Sequence, residues 1–325
     1  MNLIPVTILT GFLGSGKTTL LNHILKSPHG HRIAVIENEF GEIGIDNELL
    51  IQDQGEQIIE MNNGCICCTV RGDLVRILGE LAAKRRAGTL QFDRVVIETT
   101  GLADPAPVAQ TFFVDEDIMQ SFMIDAIVTL VDAKHAAQQL DEHHEAQEQV
   151  GFADRILLTK TDLVDAADVQ LLRQRITRMN PRAKVTEARH GVAAIDDLLD
   201  IRGFNLNAIL EIEPDFLTDV AHEHDDDITS FVFRETRPLD FAKVEDFLSA
   251  IVQVYGPQLM RYKGILNIAG VDQRVVFQGV HMMMGNDIGT AWAEGEVRET
   301  KMVFIGKNLP REVLEKALAQ SVVGA

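Results

Sequence analysis

The sequence predicts an α/β fold, a mostly parallel sheet covered by helices on both faces, with a smaller α+β domain after it. Two observations predict this. Over the first part of the chain, apolar runs of strand length alternate with helix-length segments, and most of those runs are apolar on both faces, as strands between two helical layers must be. Beyond about residue 200 the order changes to strands in closer succession.

Residues 3–10, LIPVTILT, read as a buried strand, followed by a glycine-rich turn and a helix over 17–26. A second strand covers 31–37, and the polar, glycine-containing stretch 38–50 reads as a loop. A short strand at 56–61 leads to Asn62-Asn63-Gly64 and then to an amphipathic helix at 70–86. Further strands are expected at 92–98, 123–131, 154–159 and 183–188, with a helix at 165–179. After a weakly periodic stretch ending in His222-Glu223-His224, strands at 228–235, 260–269, 273–281 and 300–306 and helices at 240–254 and from 311 suggest a ferredoxin-like β-α-β-β-α-β unit. The expected division is 1–200 for the first domain, 201–226 for a linker and 227–325 for the C-terminal domain.

Composition narrows the function. The chain has 325 residues, with 30 Lys+Arg against 49 Asp+Glu, for a formal net charge of −19. A surface that acidic repels a phosphate polyanion, so nucleic-acid binding is not expected. No apolar run approaches membrane-spanning length and no charged leader precedes the first strand, so a cytoplasmic protein is expected. All three cysteines, Cys65, Cys67 and Cys68, lie within four positions. In a reducing compartment such a cluster points to metal binding or redox chemistry rather than to a structural disulfide.

In a covered parallel sheet, ligands bind at the carboxyl ends of the strands. Gly11-Phe12-Leu13-Gly14-Ser15-Gly16-Lys17-Thr18 follows the first strand and matches G-x-x-x-x-G-K-[ST] in full. The glycines let successive N–H groups turn toward phosphate oxygens, and the helix that follows adds the positive end of its dipole. Lys17 can reach the outer phosphates and the Thr18 hydroxyl can ligate Mg²⁺, which makes this a P-loop NTPase domain. Thr159-Lys160-Thr161-Asp162 ends another strand. An aspartate there can accept from both N1–H and the 2-amino group of guanine, a donor pair that adenine lacks. Glu98, with Thr99-Thr100-Gly101 after it, stands where such enzymes hold the Mg²⁺ acid and sense the γ-phosphate, Gly101 through its backbone N–H. Asp132 is expected to cap the helix after its strand.

Gly64 permits a tight turn before the cysteines, and a helix starts just after them. Thiols near a helix N-terminus favour the thiolate, which binds soft and borderline metals. Three thiolates leave one position of a tetrahedral zinc site open. The loop Glu37-Asn38-Glu39-Phe40-Gly41-Glu42 offers carboxylates from a neighbouring strand end, and such a mixed site also accepts Co²⁺ or Ni²⁺. The alternatives are a redox pair within 65–68 or packed small side chains. The runs around His143–His144 and His222–His224 read as solvated charge, the second with a weaker metal-gathering alternative.

Taken together, GFLGSGKTT, the Glu37–Glu42 loop, GCICC, ETTGLADP and TKTD resemble the CobW-type metallochaperone GTPases, especially their bacterial YjiA-type branch, over nearly the whole chain. The resemblance implies slow GTP hydrolysis, zinc bound at C-x-C-C, and zinc passed to a client protein as GTP is hydrolysed. By motif position it implies that Gly11, Gly14, Ser15, Gly16, Lys17, Thr18 and Thr19 hold the phosphates and Mg²⁺. Glu98 and Gly101 then complete the metal and γ-phosphate site, with Lys17 and Thr18 sharing the catalytic role. Thr159, Lys160 and Asp162 hold guanine, Thr159 standing where many GTPases have Asn. Cys65, Cys67 and Cys68 hold zinc with Glu37 and Glu42, and Glu39 or Glu42 is the candidate for positioning the attacking water. A nucleotide-dependent dimer is a further implication. The competing reading is a nucleotide-gated metal sensor or buffer with negligible turnover.

Overall fold

The computed structural model describes residues 3–38, 57–61, 68–195, 198–203, 228–293 and 295–324. These divide into two compact units, the first reaching Gly203 and the second holding everything from residue 228 on, with the short stretch Arg178–Arg182 grouped with the second.

The first unit is a seven-stranded sheet: β1 (Ile4–Gly11), β2 (Ile33–Asn38), β3 (Gln57–Met61), β4 (Arg94–Glu98), β5 (Phe122–Asp132), β6 (Arg155–Thr159) and β7 (Lys184–Ala188). Their spatial order is β3-β2-β4-β1-β5-β6-β7, and every pairing is parallel. The strands β1, β4, β5 and β6 are buried almost throughout, which is why they read as continuous apolar runs rather than alternating ones. Helix α1 (Lys17–Lys26) buries Leu20, Leu21, Ile24 and Leu25 in a core shared with Leu9, Val35, Val96, Val128 and Leu157. The remaining helices are α2 (Cys68–Arg86), α3 (Ala106–Val114), α4 (Glu116–Met119), α5 (Ala136–Glu142), α6 (His144–Phe152) and α7 (Ala166–Met179). Helices α3, α4 and α6 lie in stretches where the sequence pattern predicts none, whereas α5 is the helix expected after β5. Short helices this apolar or this polar give no amphipathic period to detect.

Strand β1 lies in the middle of the sheet, with β4 on one side and β5 on the other. The chain runs from β1 out to β2 and β3, returns to β4 beside β1, and then crosses to β5, β6 and β7 on the other side, so the carboxyl end of β1 lies where the direction of winding changes, the kind of crevice where ligands bind in such sheets. Register carries the strand ends to one level. Leu9 stands opposite Glu98, Glu98 opposite Glu37, Glu37 opposite Glu60, Asp132 opposite Thr159, and Thr159 opposite Ala188.

The second unit is a five-stranded sheet of β8 (Ile228–Glu235), β9 (Leu259–Leu266), β10 (Gln273–Val280), β11 (Met283–Ala291) and β12 (Thr300–Lys307), in the order β11-β10-β9-β12-β8. All its pairings are antiparallel. Helices α8 (Phe241–Tyr255) and α9 (Arg311–Ala319) pack Val244, Phe247, Leu248, Leu314 and Leu318 with Phe231, Tyr262, Phe277 and Phe304. This corrects the expected β-α-β-β-α-β order. A further strand, β11, falls on 283–291, whose glycines and polar residues hide its alternation, and the observed order is β-α-β-β-β-β-α. Among the described residues no helix is long and apolar enough to cross a membrane.

Candidate functional site

The phosphate loop joins β1, which ends at Gly11, to α1, which begins at Lys17. It closes on itself through a bond from Ser15 N to Phe12 O (3.1 Å). Gly16 caps α1 with φ 98°, a left-handed conformation that a side chain would strain, and it offers no side-chain cap. The first turn of α1 also carries no acidic residue. The N–H groups there are left for an anion, which is the arrangement a phosphate requires. Lys17, 9 % exposed, folds back over the loop and donates from Nζ to Gly11 O (2.9 Å). Its ammonium is thereby held over the cradle that the loop forms. Ser15 is buried, and its Oγ has no hydrogen-bond partner among the described residues. Gly14 is exposed at the outer bend of the loop, and Thr19 is exposed one residue past Thr18.

Thr18 Oγ1 donates to Glu98 Oε1 at 3.2 Å. Glu98 is 9 % exposed at the end of β4, the neighbour of β1. A hydroxyl and a carboxylate meeting beside a phosphate cradle form a hard oxygen pair suited to Mg²⁺, so the residues present fit that ion. The loop after β4 is drawn in close: Thr99 N donates to Leu9 O (2.9 Å) and Thr99 Oγ1 to Thr10 Oγ1 (2.8 Å). Gly101 then lies so near the phosphate loop that a Cβ on it would come within 2.7 Å of Leu13 N. Only glycine fits there, so its backbone lies directly against the phosphate loop.

At the other end of the crevice, Thr159 is buried at the end of β6, and its Oγ1 donates to Ser15 O (2.9 Å). Thr159 therefore ties the end of β6 to the phosphate loop. Lys160 has a left-handed backbone (φ 55°), and its Nζ donates to Asp132 Oδ2 at 2.7 Å. Asp132, 2 % exposed, also accepts from His135 Nδ1 (2.8 Å) and Lys134 N (3.0 Å). Burial alone would raise its pKa, but the bonds from Lys160, His135 and Lys134 outweigh burial and hold the carboxyl below its ordinary value. Asp132 is thus the anchor of Lys160, while the position before α5 is occupied by His135. This corrects the expectation of a helix cap. Asp162 is exposed in a short 3₁₀ turn, Thr161–Leu163, with its carboxylate open to a ligand.

Two parts of the site were not expected. The turn after β7, closed by Arg189 N to Val192 O (3.1 Å), brings Gly191 against Thr19 at the start of α1. Gln149 of α6 reaches the loop after β4. The signal for the turn was a single glycine in Arg189-His190-Gly191, and no local signal marks Gln149.

Glu37 is 4 % exposed at the carboxyl end of β2, in register with Glu98 and Glu60. Cys68 is the first residue of α2, so that helix starts two residues earlier than expected. Glu39, Glu42, Cys65, Cys67, His222 and His224 lie outside the described residues, as does most of the expected linker. Among the described residues no group of three or more His, Cys, Asp or Glu side chains is arranged to hold a metal ion.

Comparison with known proteins follows from this geometry. Residues 5–187 match the CobW/HypB/UreG nucleotide-binding domain family, and residues 228–322 match the cobalamin synthesis protein cobW C-terminal domain. The chain belongs to the CobW family. Among its relatives is the zinc chaperone YjiA of Escherichia coli, 43 % identical over 98 % of this chain and 99 % of YjiA. The zinc chaperone CobW of Pseudomonas aeruginosa is 35 % identical over 97 % of this chain and 90 % of its own length. The crystal structure of Zn(II)-bound YjiA GTPase superposes with a TM-score of 0.79 at 38 % identity, covering 99 % of each chain. A YjiA variant with one glutamate and two cysteines replaced by alanine, likewise Zn(II)-bound, gives 0.80, covering 99 % of this chain and 100 % of the variant. The CobW-family assignment therefore rests on both units, and the P-loop fold of the first is shared with a GTPase along its whole length.

Proposed function

We propose that this chain is a GTP-hydrolysing zinc metallochaperone. It binds GTP at the carboxyl edge of the parallel sheet, carries zinc on Cys65, Cys67 and Cys68 with Glu37 and Glu42, and passes it to a client metalloprotein. Hydrolysis of GTP to GDP and phosphate drives the exchange. The carrying observation is the Thr18–Glu98 hydrogen bond inside a complete phosphate loop, in a chain whose near-full-length relatives are named zinc chaperones.

The roles follow from position. The loop from Gly11 to Gly16 and the first turn of α1 wrap the phosphates, with Lys17 supplying positive charge where negative charge accumulates in the transition state. Thr18 and Glu98 hold Mg²⁺, which when bound neutralises the β- and γ-phosphate oxygens. Gly101 offers its N–H to the γ-phosphate. Thr19 flanks the phosphates against the Gly191 turn. Asp162 accepts from guanine while Lys160, held by Asp132, lines the base. Glu37 is the structural link between the two chemistries, because the strand that carries it pairs with the strand of Glu98 on one side and leads into the metal loop on the other. The proposed division is a GTPase domain over 1–200, a linker over 201–226 and a C-terminal domain over 227–325, in a cytoplasmic protein.

Phosphate release tests this directly. The expected result is slow turnover of GTP and none of ATP, with the rate responding to zinc and to a client apoprotein. Binding without turnover, even with zinc and client present, would instead make the chain a nucleotide-gated metal sensor or buffer. Since a YjiA variant lacking one glutamate and two cysteines is still Zn(II)-bound, zinc content alone does not report on the C-x-C-C site, and the assay must follow turnover.

A further inference from the structure

Gln149 sits in α6, away from every motif in the chain, and is 1 % exposed. Its side-chain amide donates both of its hydrogens to the loop after β4, one to Gly101 O (3.2 Å) and one to Ala103 O (3.0 Å). Its own backbone carbonyl accepts from Thr129 Oγ1 on β5 at 2.7 Å. The residue is therefore tied to the sheet through its backbone, while its side-chain amide grips two carbonyls, two residues apart, of one loop.

We infer that Gln149 is a positioning residue for γ-phosphate recognition, holding the Gly101 backbone against the phosphate loop so that its N–H faces the terminal phosphate. The inference rests on the reading of Gly101 as the γ-phosphate contact. The distances explain why an amide is needed. Two carbonyl oxygens converge on one buried atom, so the side chain there must present two donors and reach across from the helix. Glutamate has the reach but would set a carboxylate against two carbonyls, and methionine has the length but no donor. The same helical hairpin also touches the phosphate loop itself, where the ring of His143, between α5 and α6, lies 4.7 Å from that of Phe12. One element thus braces both backbone segments that close around the outer phosphates.

The consequence is selective. GDP has no γ-phosphate, so its binding does not depend on how Gly101 is presented. Two lost neutral hydrogen bonds correspond to about a tenfold change. In Gln149→Met, affinity for a non-hydrolysable GTP analogue should fall about tenfold, turnover should fall with it, and GDP affinity should stay within about twofold. Gln149→Glu should show the same loss at neutral pH and recover part of it as the pH is lowered, because a protonated carboxyl regains one donor. A merely structural role would not produce that profile.

Native protein measured in parallel separates the two levels of the argument. If it neither binds nor turns over GTP, the functional reading fails. If it does both while the Met and Glu variants keep an unchanged preference for the GTP analogue over GDP, or gain one, the role of Gln149 is overturned. Retained GDP binding certifies the fold of each variant. Should Met lose GDP as well, Gln149→Asn, which keeps the amide but withdraws it by one methylene, carries the comparison, and an undiminished preference there overturns the inference equally.

Discussion

Strand β4 carries a buried charge at each end, and the two ends behave differently. At its amino end Arg94, 1 % exposed, donates from Nη1 to Asp125 Oδ2 at 2.7 Å and from Nη2 to Asp200. Asp125 takes further bonds from Arg202 N (2.7 Å) and Thr7 Oγ1 (3.4 Å). At the carboxyl end Glu98 meets Thr18, beside a helix start without a cap and a buried Ser15 hydroxyl without a partner among the described residues. The amino edge is a polar network paired internally through both terminal guanidinium nitrogens of Arg94, with Arg94 Nε left without a partner among the described residues. The carboxyl edge also pairs its side chains, but it adds a helix start with neither a side-chain cap nor an acidic first turn, which leaves N–H groups for an anion. Both edges bury charge, so burial alone does not mark a site. What separates them is that only the carboxyl edge sets its paired side chains beside the uncapped start of a helix and a glycine loop.

That contrast can be broken at either end. The largest effect is expected for Lys17→Ala, which should lower GTP turnover by roughly 10²–10³-fold, the scale of removing one preorganised transition-state contact. Its unfolding free energy without nucleotide should stay near native, as read by urea titration. Asp125→Ala should do the opposite. It leaves the buried Arg94 guanidinium with Asp200 as its one carboxylate partner and should cost about 3 kcal/mol in the same titration, while the protein that remains folded binds GDP normally. If Asp125→Ala spared stability and abolished nucleotide binding, the division between the edges would be wrong.

Asp132 sharpens the comparison, because it lies at the functional edge yet is internally paired. Asp132→Asn should weaken GTP and GDP alike by about tenfold in calorimetry, since it releases Lys160 rather than any phosphate contact. The sign of its pH dependence is fixed by its depressed pKa. A carboxyl held below its ordinary 3.8 stabilises the fold fully above that value and loses the contribution as the pH falls through its folded value. The stability gap between the native protein and Asp132→Asn should therefore be flat at neutral pH and close only below about pH 4. The smallest effect is expected for Thr159→Val, which removes the single bond to Ser15 O and should weaken both nucleotides about threefold.

Much of this was legible in the sequence because glycine, lysine and β-branched residues each mean something locally. The run ending at Gly11 predicted β1, and Gly16-Lys17-Thr18 predicted the start of α1 to the residue. Charges at strand ends, Glu98 and Thr159–Asp162, predicted which loops face the crevice. The partners of those residues were not legible. Asp132 looked like a helix cap, because its tie to Lys160 spans the gap between two strands. Gln149 looked like any polar residue of a short helix, because its two acceptors belong to a loop far away in sequence. In the C-terminal unit, β11 was missed since MMGNDIGTA has no clear period and, apart from Ile288 and Thr290, lacks the branched side chains that announce a strand. Local chemistry was readable, and contacts across the sheet were not.

The central claim is that the zinc site proposed on Cys65, Cys67, Cys68, Glu37 and Glu42 responds to the nucleotide proposed to bind beside Glu98. Zinc titration against a competing chelator tests it most directly, run with GDP and with a non-hydrolysable GTP analogue, on native protein and Cys67→Ala. The account predicts two distinct zinc affinities in the native protein, mirrored by an equal ratio of nucleotide affinities with and without zinc, and a single affinity in Cys67→Ala. Identical zinc affinity with either nucleotide in the native protein would contradict it.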